Sequence, residues 1–176
     1  MMIIEGTVVK KYGDDINTDY IIPAYLLQES WDPQFFADHA FERYDPTFVS
    51  ACRANKNNVI VAGNNFGCGS SREQAVYAIK NNDVVAVVAQ SFPDIFFRNS
   101  LNNKLLPVQV KDTSSIAVGD RLIINLEKGL VEDLSTTKKH EILGAQNLVQ
   151  RISKGDALDY ARARLRAKLR ETANQV

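Results

Sequence analysis

The feature that most constrains the fold is a stretch of about thirty residues in which a strand, a glycine-rich turn, a helix and a second strand follow one another. The strands are the apolar, β-branched runs at residues 58–62 and 84–89. Between them, residues 72–81 have helical composition, and their apolar side chains are spaced for one buried face. This order predicts a βαβ unit with parallel strands and a right-handed crossover.

Patterns on either side of this unit predict a single α/β domain over residues 1–176. Further strands are expected at residues 3–9 and 105–110, with a β-hairpin at 121–126 that turns at 127–129. Asp32 and Pro33 predict the start of a helix that runs to about Phe41. Two more helices are predicted, at residues 91–102 and, at the carboxyl end, at 156–172.

Composition argues against several classes of function. The 21 basic residues balance the 21 acidic ones, so the chain has no net charge that would favour nucleic acid or a membrane surface. No apolar run approaches the ~18 residues of a membrane span. Two cysteines and two histidines are too few for a complete zinc or iron–sulfur site. The cysteine content and the absence of a signal-peptide pattern lead us to expect a cytoplasmic protein.

The glycine-rich turn at residues 63–73 (GNNFGCGSSRE) is the strongest candidate for a binding site. Backbone at Gly67, Cys68 and Gly69 can approach a ligand closely, because glycine tolerates tight turns. Ser70, Ser71 and Arg72 then fall at the helix start, where N–H groups and the helix dipole favour an anion; these three residues form the candidate cradle. The structural alternative is a capping box made by Ser70 and Glu73.

A small carboxylate is the favoured anion. The turn lacks the lysine of a P-loop, and its glycine order differs from that of a dinucleotide fingerprint. Cys68 also suggests a catalytic nucleophile, but packing between glycines is the favoured interpretation. His39 and His140 are interpreted as surface or helix-face residues and not as ligands.

Three separated segments together resemble one known family. They are residues 13–24 (GDDINTDYIIPA), residues 63–73, and residues 91–107 (SFPDIFFRNSLNNKLLP). Their order resembles that of the small subunits of 3-isopropylmalate dehydratase, which are similar to the swivelling domain of aconitase. The resemblance implies a swivelling β/β/α fold and a large partner subunit that carries a [4Fe–4S] cluster. This chain would bind no cofactor itself, and it would be active as a hydro-lyase only with that partner.

The resemblance also implies roles for individual residues. Ser70 matches the catalytic base, while Ser71 and Arg72 match contacts to the substrate carboxylate. Asp19 matches an acidic residue that supports the site, although from the residues alone an Asx-turn role is favoured. A serine acts as a base only where a helix N-terminus and a nearby cation stabilise its alkoxide.

The loop after Ile22-Pro23 covers the substrate's variable group in the resembling family. Family members often have an arginine in this loop, whereas this chain has Tyr25-Leu26-Leu27-Gln28 there. In a different segment, directly after Glu73, this chain has Gln74 where family members usually have a histidine. Leu26 and Leu27 are therefore expected to contact an isopropyl group, which predicts a preference for isopropylmalate over homoaconitate. The alternatives are that the leucines only pack the loop and the large subunit sets specificity.

The predicted function is dehydration of 2-isopropylmalate and rehydration to 3-isopropylmalate, a step of leucine biosynthesis, as the small subunit of a heteromeric enzyme. Within the same class, the small subunit of a homoaconitase or a dimethylmalate dehydratase is an alternative. From a different class, a non-catalytic carboxylate-binding module would use the same glycine turn only to hold a ligand.

Overall fold

The computed structural model describes residues 2–154, which form one mixed sheet with helices on both faces. The strands are β1 Ile3–Lys11, β2 Asn58–Ala62, β3 Val84–Ala89, β4 Leu106–Gln109, β5 Arg121–Asn125, β6 Leu130–Asp133 and β7 Lys139–Glu141. The α-helices are α1 Thr18–Ile21, α2 Pro33–Asp38, α3 Phe48–Arg53, α4 Glu73–Lys80, α5 Asp94–Asn102 and α6 Ala145–Ser153. A 3₁₀ turn covers Ala24–Gln28.

The sheet has the strand order β4-β3-β2-β1-β5-β6-β7. Strands β1 to β4 pair in parallel, whereas β5, β6 and β7 continue the sheet as antiparallel neighbours. The parallel pairing of β2 with β3 confirms the predicted strands of the βαβ unit. The antiparallel pairing of β5 with β6 confirms the predicted hairpin. The carboxyl ends of the parallel strands therefore lie along one edge, where loops from distant parts of the sequence meet.

The sheet has a buried apolar layer on each face. Along β2, Ile60 and Ala62 belong to one core cluster, and Val59 and Val61 belong to the other, as the two-residue period of a strand requires. Buried residues of α2, α3 and α4 pack on the first face. Leu148 of α6 packs on the second. Because both faces are covered, β2 after Asn58 and the whole of β3 can consist of apolar residues.

Several element boundaries differ from the predictions. Helix α5 begins at Asp94 and not at residue 91, because Pro93 occupies the N-cap with extended backbone. Helix α4 begins at Glu73, one residue later than predicted. Asp32 does cap α2, and its side chain accepts a hydrogen bond from the Gln34 backbone N–H at 2.9 Å. Elements α1, α3, β7 and α6 and the 3₁₀ turn were not predicted. The helix predicted at 156–172 lies outside the described residues.

Candidate active site

Loops that follow β1, β2 and β3 meet at the carboxyl edge of the parallel strands. The Gly67 N–H donates to the Ile16 carbonyl at 2.8 Å, and the Thr18 N–H donates to the Cys68 carbonyl at 2.7 Å. The Asn65 N–H donates to the Ser91 hydroxyl at 2.8 Å. Backbone and side-chain hydrogen bonds thus join the three segments that carry the family resemblance.

A polar clamp holds the start of the glycine turn. Asp14 Oδ1 accepts the Asn64 backbone N–H at 2.6 Å, and the Asn64 side-chain amide donates to Gln90 Oε1 at 2.6 Å. The Asn65 amide donates to Asp15 Oδ1 at 2.7 Å. These roles are not predictable from neighbouring residues, because each contact joins residues that are far apart along the chain.

Two glycines are required where the turn approaches its neighbours. Gly67 has φ +82°, and a Cβ there would lie 2.2 Å from a ring carbon of Phe96. Gly69 has φ +97°, and a Cβ there would lie 2.4 Å from Asn17 Oδ1. Glycine is the residue that accepts both the positive φ and the close contact. The observed close contacts of these two glycines are therefore with other residues of the protein. A close approach of this backbone to a ligand stays a prediction.

Gly67→Ala is expected to destabilise the fold strongly. The substitution combines a strained positive φ, which costs about 1–3 kcal/mol, with a clash against the buried Phe96 ring. We expect the free energy of unfolding, measured in urea, to fall by more than about 2 kcal/mol. Gly13→Ala is the matched control, because a Cβ at Gly13 meets no atom within 4 Å. An equal loss in both variants would contradict this explanation.

Ser70 lies beside a buried hydroxyl. Its Oγ is 3.2 Å from Thr18 Oγ1, and its backbone N–H donates to the same oxygen at 3.0 Å. The N-cap of α4 is Arg72, whose side chain makes no capping bond, and the Glu73 carboxylate accepts the Tyr77 hydroxyl. The alternative that Ser70 and Glu73 form a capping box is therefore wrong, and the serine hydroxyl is left for another role.

Arg72 pairs with Asp19 across 53 residues of sequence. Its Nη1 donates to Asp19 Oδ1 at 2.6 Å and lies 3.4 Å from the Ile22 carbonyl oxygen. The turn role proposed as the alternative for Asp19 belongs to Asn17, whose side chain accepts the Asp19 N–H at 2.9 Å and caps α1. Asp19 instead orients the guanidinium. Since both contacts use Nη1, other N–H groups of the planar fork face no acceptor within residues 2–154.

Ser71 is exposed at the rim of the same turn. Its carbonyl accepts the Asn99 side-chain amide at 3.0 Å, which joins the turn to α5 and hence to the third resembling segment. The structure therefore brings Asp19, Ser70, Ser71 and Arg72 together in one place.

The residues of the predicted specificity loop have different surroundings. Leu26 is buried in the core, and Leu27 is partly buried against the same cluster. Tyr25 is exposed, its hydroxyl donates to Glu42, and the Arg43 guanidinium lies 4.4 Å from the centre of its ring. The loop itself contains no cation, but Arg43 supplies one from outside the loop. A role for Leu26 and Leu27 in substrate contact stays a prediction.

Cys68 has the surroundings of a packing residue. Burial raises the pKa of its thiol, and the Asp15 carboxylate raises that pKa further, so the thiolate is disfavoured. Its backbone pairs with Asn17 in an isolated β-bridge. His39 lies 2.6 Å from the Glu42 carboxylate at the end of α2, and His140 lies on β7.

Within residues 2–154, no helix is long and apolar enough to cross a membrane.

Comparisons with known proteins agree with one another. Residues 37–113 match the family model of the aconitase C-terminal domain. The 3-isopropylmalate dehydratase small subunit of Wolinella succinogenes is 38% identical over 165 residues, which are 93% of this chain and 97% of the relative. The small subunit of Metallosphaera sedula is 50% identical over 129 residues, 73% of this chain and 78% of the relative.

A solved structure extends this agreement to the fold. The crystal structure of 3-isopropylmalate dehydratase from Methanocaldococcus jannaschii matches with a TM-score of 0.82 and 36% identity, covering 97% of this chain and 99% of that one. The predicted α/β fold of the aconitase type is thus confirmed. Both the Wolinella succinogenes relative and this solved structure match the chain over more than nine tenths of its length. The chain therefore belongs to the family of 3-isopropylmalate dehydratase small subunits.

Proposed function

We propose that this chain is the small subunit of a 3-isopropylmalate dehydratase, which interconverts 2-isopropylmalate and 3-isopropylmalate by dehydration and rehydration in leucine biosynthesis. The observation that carries the proposal is that the residues just before α4 place the Ser70 hydroxyl against Thr18 and the Arg72 guanidinium against Asp19, which are neighbours in sequence. Family membership supports the same reaction. The ligand would be a small hydroxy-carboxylate in the cytoplasm, and not nucleic acid or a membrane.

This chain would contribute proton transfer and carboxylate binding. Arg72 presents a planar fork that can hold a substrate carboxylate through two parallel hydrogen bonds. The Ser70 alkoxide would take the proton from the carbon next to that carboxylate, the C–H electron pair would form a C=C double bond, and the substrate's hydroxyl group would leave from the neighbouring carbon to end as water. The alkoxide would be stabilised by the amino end of α4 and by the Arg72 charge. As the reaction runs in reverse, the same hydroxyl returns a proton to the double bond.

The iron–sulfur cluster implied by the family does not fit this chain. Residues 2–154 contain no group of three potential metal-ligating side chains, and the whole sequence has two cysteines, of which Cys52 is buried in the core. A [4Fe–4S] cluster takes four ligands, usually thiolates. We therefore assign the cluster to a large partner subunit and derive no step of this chain's chemistry from it.

Thr18 is proposed as a positioning residue for the base. Its buried oxygen accepts the Ser70 N–H, so its own proton can point to Ser70 Oγ and stabilise the alkoxide. From the sequence, this threonine has no predicted role. The contact with Ser70, 52 residues away, is what reveals it.

Thr18→Val is expected to lower kcat by about 10- to 100-fold while KM changes little, because the substitution keeps the shape and removes the hydroxyl that contacts both the Oγ and the backbone N–H of Ser70. The rising acidic limb of the kcat/KM profile should move to higher pH, since the alkoxide then forms less readily. Thr18→Ser keeps the hydroxyl and should restore most of the rate. Equal kinetics in the two variants would show that the threonine acts by packing alone.

Leu27→Arg is expected to shift substrate preference from isopropylmalate towards homoaconitate. An arginine at this partly buried position would pair with the additional carboxylate, and it would replace apolar surface that gains about 0.8 kcal/mol for each buried methylene-sized group. The measurement is the ratio of kcat/KM for the two substrates in the reconstituted enzyme. An unchanged ratio would assign Leu27 to packing and specificity to the partner.

Reconstitution tests the proposed function. The purified chain should show no dehydratase turnover alone, and activity should appear on anaerobic mixing with the cluster-loaded large subunit from the same organism. Parallel assays with 2-isopropylmalate, homoaconitate and 2,3-dimethylmalate separate the proposed substrate from the two alternatives. Turnover by the isolated chain would contradict the division of labour. Binding of a hydroxy-acid without turnover in any mixture would favour a non-catalytic binding module.

A further inference from the structure

Exposed aromatic side chains are concentrated in one part of the sequence. Nine large apolar side chains of the described residues are exposed, and the four aromatic ones among them all fall between residues 20 and 44. They are Tyr20 (46% exposed), Tyr25 (42%), Trp31 (86%) and Tyr44 (44%). The five aliphatic ones are spread over the rest of the described chain, which is ordinary for a protein surface.

Three of these rings take part in two contacts that are linked through the neighbouring residues Arg43 and Tyr44. Tyr20 stacks on Tyr44 with 4.9 Å between ring centres and an angle of 13°, and Arg43, the neighbour of Tyr44, lies over the Tyr25 ring. We call Tyr20, Tyr25, Arg43 and Tyr44 the aromatic ridge. Trp31 lies six residues beyond Tyr25, just before α2. Tyrosine, tryptophan and arginine are the residue types enriched at the energetic centres of protein interfaces.

The ridge begins at the edge of the candidate active site. Tyr20 directly follows Asp19, whose carboxylate holds Arg72, and Tyr25 lies three residues after Ile22, whose carbonyl oxygen is 3.4 Å from the same guanidinium. The ridge therefore includes sequence neighbours of the residues that hold Arg72, so it lies where a protein that covers this site would approach.

We infer that the aromatic ridge and Trp31 form the docking surface for the large subunit. The inference rests on the proposed function, because a chain that supplies only the base and the carboxylate anchor requires a second protein over those groups. A second copy of this chain on the ridge is the competing occupant. A second copy would place another Ser70 and Arg72 near the site, but it would not supply the iron–sulfur cluster that we assign to the large subunit.

The test measures association directly. Sedimentation velocity under anaerobic conditions gives the Kd between the full chain and the cluster-loaded large subunit of the same organism. Tyr20→Ala and Trp31→Ala should each raise that Kd about tenfold or more. Val118→Ala and Leu134→Ala, which remove exposed apolar groups from elsewhere (59% and 44% exposed), should change it less than twofold. At saturating large subunit, Trp31→Ala should retain kcat near the wild-type value.

A second measurement avoids any effect of the variants on folding. The chain contains one tryptophan, so 5-fluorotryptophan incorporated into it gives a single ¹⁹F resonance from Trp31. Addition of unlabelled large subunit should shift that resonance and protect it from solvent. An unshifted resonance in a formed complex, together with unchanged Kd values, would overturn the inference.

Other results separate the possible failures. If the wild-type chain forms no complex with the large subunit, the proposed function itself fails. If the complex forms equally well with every variant, the function stands and only the docking surface is wrong. If the isolated chain is a dimer that Tyr20→Ala and Trp31→Ala dissociate, the ridge is occupied by a second copy and the inference is overturned.

Discussion

Ser70→Ala is expected to lower kcat of the reconstituted enzyme by about 10²- to 10⁴-fold, with KM within about threefold of the wild-type value. General-base catalysis contributes about this much, and the alanine variant keeps Arg72 and the backbone of the turn. The fold should survive, because the Thr18 hydroxyl keeps the Ser70 backbone N–H as its partner. Steady-state kinetics at saturating large subunit provide the measurement.

Ser50→Ala is the matched control for this substitution. Ser50 is an exposed serine on α3 whose hydroxyl donates to the Thr47 carbonyl, and it makes no contact with the candidate site. Its removal should leave both kcat and KM unchanged. If Ser70→Ala kept near-wild-type turnover, the serine would not be the base, and the proton would have to go to a group on the partner.

Arg72→Lys is expected to lower kcat/KM by about 100-fold or more, with a rise in KM forming part of the loss. Lysine keeps a positive charge that can still pair with Asp19, but an ammonium group cannot make two parallel hydrogen bonds to a carboxylate. The variant therefore separates the fork geometry from the charge. Initial rates over a range of substrate concentrations give kcat and KM independently.

Arg53→Lys is the matched control, because it makes the same substitution in an arginine–aspartate pair that lies outside the candidate site. Arg53 and Asp38 form an exposed ion pair with the same 2.6 Å separation as Arg72 and Asp19. Exposed pairs contribute at most about 1 kcal/mol, so this control should leave stability and activity nearly unchanged. Equal kinetics for Arg72→Lys and the wild type would show that charge alone is needed at the site.

The parts of the fold that could be predicted are those whose signal is local. Apart from Asn58, the residues of β2 and β3 are apolar, and the helix between these strands has one apolar face, so a short window of sequence identifies each element. The β5–β6 hairpin is similarly visible, because Glu127-Lys128-Gly129 separates two apolar runs. By contrast, α3 and β7 have six and three residues, too few to show a period.

The candidate site was predicted in part for the same reason. Ser70 and Arg72 stand in one glycine-rich segment, and a local argument for an anion site reaches them. The roles of Thr18 and of the clamp between Asp14 and Asn64 cannot be predicted in this way, because they consist of contacts between residues about 50 positions apart. The resemblance supplied Asp19, whereas an argument from its neighbours alone favoured the turn role that Asn17 performs.

The antiparallel pairing of β5 with β1 places the turn after β5 and the candidate site at opposite ends of β1. Asn125 pairs with Ile3 and Arg121 with Thr7, so the turn after β5 lies at the amino end of β1, opposite the end where the loops converge. A dye or a surface linker attached at the exposed Lys128 would therefore point away from the site. Immobilised in this way, the chain would present its Ser70 end to solution and allow the encounter with a partner to be followed one molecule at a time.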